Sequence, residues 1–94
     1  MKHYILVKFK KEVILDDILD DIKNLFNEAL TIEGIHSITY KTNVVNRDNR
    51  YHLMIVFDMD NDALALYDES KQHLKWKQDY ASMIESKAII DCED

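Results

Sequence analysis

Apolar residues alternate along the first ten positions. His3, Ile5, Val7 and Phe9 share one side of an extended segment, and Tyr4, Leu6 and Lys8 share the other. A period of two predicts a strand over Lys2 to Lys10, and apolar side chains on both sides predict that it is covered twice. The period then changes. Leu15, Ile18, Leu19, Ile22, Leu25, Phe26, Ala29 and Leu30 recur at helical spacing, with acidic residues and Lys23 between them. Asp16 or Asp17 is placed to cap the start of this helix. Gly34, the only glycine, punctuates its end. Ile35 to Val44 reads as a second strand, with Ile38 and Tyr40 against Ser37 and Thr39. A polar turn over Asn46 to Arg50 leads to a third strand, Tyr51 to Phe57, which is nearly continuous in apolar residues. Asn61 or Asp62 opens a helical region reaching about Ile84. Its two stripes, Ala63, Leu64 and Tyr67, then His73, Trp76, Tyr80, Met83 and Ile84, line up if the region bends near Ser70 and Lys71. Lys87 to Cys92 is the closing strand.

The order strand, helix, strand, strand, helix, strand is that of an α+β ferredoxin-like βαββαβ fold with a four-stranded antiparallel sheet, and 94 residues make one domain, 1–94. Right-handed crossovers put both helices on one side. The other side would expose Tyr4, Leu6, Met54 and Val56, a larger apolar patch than monomers usually carry. A homodimer through the face opposite the helices covers it. At about 25 cal/mol per Å², burying several hundred Å² per subunit contributes on the order of 10 kcal/mol before association costs.

Eighteen acidic and twelve basic residues give a net charge of −6, which disfavours nucleic acid. No apolar run reaches the roughly 20 residues of a membrane span. One cysteine, Cys92, and no signal peptide point to a reducing, cytoplasmic compartment. Cys92 alternates away from Asp91 and reads as an inert thiol. One glycine cannot build a phosphate loop, so no nucleotide or flavin cofactor is expected. His3, His73, Asp91 and Glu93 match no metal-ligand spacing, so no metal is expected. His36 and His52 have no partner legible in the pattern.

Several short pieces recur in order along the whole chain: Lys2-His3, Phe9-Lys10, Glu33-Gly34-Ile35, Asn43, Phe57, Tyr67 six residues before His73, and Ile90-Asp91. In these the chain resembles the stress-responsive dimeric α/β-barrel domain family. The resemblance implies a dimer whose two sheets form a barrel with the helices outside, and a cleft in each subunit between sheet and helices. Some members are stress-associated proteins without an assigned reaction. A plant member closes a linear polyketide chain with a histidine and an aspartate that match His73 and Asp91, in a pocket that uses positions matching His3 and Tyr67. The chain departs from the pattern at Ser70-Lys71-Gln72-His73, where the family often has His-Pro-x-His, at Lys41, where a glycine is usual, and at Leu25, which stands in place of a pocket tyrosine.

His73 leads an apolar stripe that includes Trp76 and Tyr80, so its ring points inward, where Asp91 would fix its tautomer. There it serves either as a general base or as a satisfied core or interface histidine. Tyr67 is either a pocket hydroxyl or a core tyrosine. His3, near a chain end, reads as a partly exposed histidine. Two functions follow. One is a small dimeric stress-associated protein that binds an apolar ligand in the cleft, lined by His3 and Trp76. The other is a cofactor-free cyclase, isomerase or oxygenase-like enzyme in which His73, Asp91 and Tyr67 act on a carbonyl or phenolic substrate.

Overall fold

The computed structural model of the chain describes residues 1–93. Its elements are β1 (Lys2–Phe9), α1 (Leu15–Asn27), β2 (Ile35–Thr42), β3 (Leu53–Met59), α2 (Ala63–Asp68), α3 (Lys71–Tyr80) and β4 (Ile84–Cys92), with 3-10 turns at Glu28–Thr31 and Ala81–Met83. The strands form one antiparallel sheet in the order β2-β3-β1-β4. This is the ferredoxin-like arrangement expected from the pattern. No helix among the described residues is long and apolar enough to cross a membrane.

β1 and β3 alternate strictly between buried and half-buried positions. Their buried residues join Ile22, Leu25 and Phe26 of α1, Ala63 and Tyr67 of α2, and Trp76 and Tyr80 of α3 in a single core. All three helices therefore cover the same face. The opposite face carries Tyr4, Leu6, Met54 and Val56, each half-buried at the centre of the sheet. Cys92 lies on that face too, across from Lys2, while Asp91 faces the helices.

Several boundaries differ from the expected ones. Neither Asp16 nor Asp17 caps α1: the capping position is Ile14, without a side-chain bond, and the two carboxylates sit in the first turn. There they still favour the positive end of the helix dipole. β3 begins at Leu53, because Tyr51 and His52 belong to the loop, and β4 begins at Ile84, three residues early. The expected bend falls at Ser70, which caps α3 by accepting from the His73 N–H. Gly34 turns the chain into β2 at φ +90°, where a Cβ would meet the Ala63 Cβ at 3.0 Å. Both the dihedral and the contact favour glycine there.

Candidate functional site

β1 places His3 between two neighbours on the helix-facing side of the sheet. The register sets it opposite Phe57 on β3 and opposite Asp91 on β4. His3 is buried, at 4% exposure, which corrects the expectation of a partly exposed histidine. Its Nδ1 lies 2.5 Å from Asp91 Oδ1, and the Asp91 side chain is 39% exposed. A carboxylate accepts, so Nδ1 carries the proton, and in the neutral ring Nε2 keeps its lone pair.

α2 brings Tyr67 down onto this pair. Its ring centroid is 4.8 Å from that of Phe57, 5.9 Å from His3 and 4.9 Å from His73. Tyr67 is 1% exposed, and its hydroxyl is the one buried side-chain polar atom among the described residues that lacks a hydrogen bond. Burial, with Asp68 nearby, pushes the phenol above its ordinary pKa, so it stays a neutral O–H donor. The junction of α2 and α3 aligns Tyr67 with His73. Ser70 Oγ donates to the Tyr67 carbonyl at 2.7 Å and accepts from the His73 N–H at 3.1 Å.

The expected partner of His73 is not the one found. Asp91 bonds His3, while His73 Nδ1 donates to the Asp68 carbonyl at 3.0 Å. The physical reason is the sheet register, which sets Asp91 directly across from His3 on one face. His73 is half-buried at the rim. Its neutral ring also leaves Nε2 as the acceptor. Trp76, expected to line a ligand cleft, is 1% exposed and packs on Phe26 at 4.9 Å and on Tyr80 at 5.1 Å. It supports the site from within the core.

The structure thus brings His3, Tyr67, His73 and Asp91 into one chain of contacts, from a buried interior to a wet rim. The sheet end near β3 and the surface between α1 and α3 hold hollows, but these are lined by other residues. His36 and His52 do have partners: His36 Nε2 pairs with Asp60 at 2.8 Å, and His52 Nδ1 accepts from the Phe9 N–H at 3.0 Å. Among the described residues no group of three or more His, Cys, Asp or Glu is arranged to hold a metal.

A four-stranded antiparallel sheet with helices on one face, ordered β2-β3-β1-β4, defines the ferredoxin-like class. The chain belongs to the stress-responsive A/B barrel domain family, whose model matches residues 1–94. No protein of curated function matches the chain. Among solved structures, it is similar to a dimeric protein of unknown function and ferredoxin-like fold from Bacteroides fragilis. That match has 27% identity and a TM-score of 0.72, covering 99% of this chain and 94% of the other. A protein from Arabidopsis thaliana matches at 21% identity and a TM-score of 0.80, covering 99% and 93%. A hydroxynitrile lyase from Passiflora edulis matches at 10% identity and a TM-score of 0.75, covering 95% and 87%. The latter two matches share the fold alone.

Proposed function

We propose that the chain forms a homodimer through its open sheet face and binds a small compound bearing a carbonyl or phenolic oxygen at the cluster of His3, Tyr67, His73 and Asp91. The observation that carries this reading is the Tyr67 hydroxyl. A buried hydroxyl left without a hydrogen bond costs about 1–3 kcal/mol, and native folds leave few of them. A ligand oxygen would accept from it. The Nε2 atoms of His3 and His73 would take the hydroxyl or acidic proton of the same ligand, which enters past the exposed Asp91 edge. The half-buried apolar centre of the open face and the dimeric Bacteroides relative support the pairing.

A second reading, cofactor-free proton transfer, rests on the anchored His73 ring. Held through Nδ1 by the Asp68 carbonyl, it presents Nε2 as a base, while Tyr67 polarises the carbonyl whose neighbouring proton leaves.

A thermal-shift screen of small aldehydes, ketones and phenols tests the site. Hits should raise the Tm of the wild type. Tyr67→Phe should lose that response, while its unliganded Tm is unchanged or a few degrees higher, since the unpaired hydroxyl is gone. A retained ligand response, or a less stable unliganded variant, would overturn the reading. For a catalytic His73, His73→Ala should keep the fold, bind hits more weakly, and show no proton exchange into the carbonyl compound even at saturating ligand. Sedimentation velocity should give a two-chain mass for the wild type and a one-chain mass for Val56→Asp. A one-chain wild type would exclude the dimer.

A further inference from the structure

The sheet end remote from His3 collects positive charge. Lys8, Lys10, Lys11, Lys41, Arg47 and Arg50 lie on or beside it, half of the chain's twelve basic residues. There the turn after β1 and the loop between β2 and β3 enclose a hollow of about 480 Å³. Lys8, Lys10, Lys11, Asn46 and His52 line it, together with the carboxylates of Asp48 and Glu85. Three lysines thus line it beside two acidic residues, the reverse of the balance over the whole chain.

The partners sort these charges further. Lys8 Nζ pairs with Glu85 at 3.1 Å and donates to the Asp48 carbonyl, which tethers the loop and neutralises Glu85. Among the described residues the ammonium groups of Lys10 and Lys11 have no hydrogen bond or ion pair. His52 adds a fixed donor. Its Nδ1 accepts from the Phe9 N–H, and its ring lies parallel to Phe9, with the planes 5° apart. A nitrogen that accepts carries no proton, so the neutral ring holds its proton on Nε2.

We propose that this hollow binds the carboxylate or phosphate group of a small molecule, with Lys10 and Lys11 supplying charge and His52 Nε2 and the Asn46 amide supplying hydrogen bonds. Charged donors on a concave surface focus the field on an anion, while the Lys8 tether holds the loop that carries Asn46 and the Phe9 N–H holds the His52 ring. The site lies at the opposite end of the sheet from the His3 cluster and stands independently of it.

Amide and imidazole NMR titrations of the full chain test this, with inorganic phosphate and with succinate, each against sodium chloride at matched ionic strength. Saturable shifts should appear at Phe9, Lys10, Lys11 and His52. Phosphate alone saturating assigns a phosphate ligand, and succinate alone a carboxylate. Lys10→Ala/Lys11→Ala alters two exposed side chains, so its spectrum should remain folded while affinity falls roughly tenfold or more. Shifts reproduced by chloride, or affinity unchanged in the double variant, would overturn the proposal.

Discussion

His3 and His52 sit at opposite ends of the same sheet and hold their protons on opposite nitrogens. His3 donates through Nδ1 to a carboxylate and is enclosed by Phe57 and Tyr67. His52 accepts at Nδ1 from a main-chain N–H and is half-buried over the face of Phe9. One residue type thus presents a lone pair at one end and an N–H at the other. The immediate partner sets the chemistry, and the surrounding packing decides how firmly that partner is held.

The largest test removes the enclosure on one side only. Phe57 touches His3, Tyr67 and Phe26, and it is fully buried. Phe57→Ala should cost about 3–5 kcal/mol in urea denaturation. A loss below about 1 kcal/mol would mean that the His3 end is loosely packed, and the contrast with His52 would collapse. The next test removes each histidine's partner interaction. His52→Leu leaves the Phe9 N–H unpaired beneath a buried residue and should cost about 1–3 kcal/mol. Asp91→Ala should cost about 1 kcal/mol, because water reaches that position. A larger loss for Asp91→Ala would show that water does not reach the bond, so that the His3 end is as closed at its edge as at its centre.

The smallest effect lies at high pH. Tyr67 has its pKa raised by burial, so the folded state holds the phenolic proton more tightly than the unfolded chain. Its contribution is complete below the unfolded tyrosine value of about 10 and is lost as pH rises through the folded value. Tyr67→Phe should flatten the decline in Tm above that point, though not abolish it. Burial also raises Tyr80, and it pushes Tyr40 up to about 12. An unchanged alkaline decline would mean that the Tyr67 hydroxyl is wet.

Much of the fold was legible in the chain because periodicity reports burial directly. The strict alternation of β1 and the near-continuous run of β3 announced a sheet with two apolar faces, and the phase change at Ser70 announced the bend. The pairing within the site was harder to read. The family pattern pairs Asp91 with His73, yet the topology holds the better answer. In an antiparallel pair of β1 and β4, the start of one strand meets the end of the other, which brings His3 to Asp91. The role of His52 left no trace, since a bond to a main-chain N–H has no side-chain partner to spot. Tyr67 was visible as an inward aromatic, but a missing hydrogen bond is a property of three-dimensional surroundings alone.

The cluster also divides by distance along the chain. Tyr67, Ser70 and His73 align within one helical junction, whereas His3 and Asp91 are separated by 88 positions. The first half can form as soon as that junction does. The second must wait for β1 and β4 to zip together, the kind of long-range closure that is slow to nucleate. Fraying at the end of β4 would then release His3 while the Tyr67–His73 alignment stayed intact, so hydrogen exchange at the last residues of β4 would read out how often the completed cluster exists.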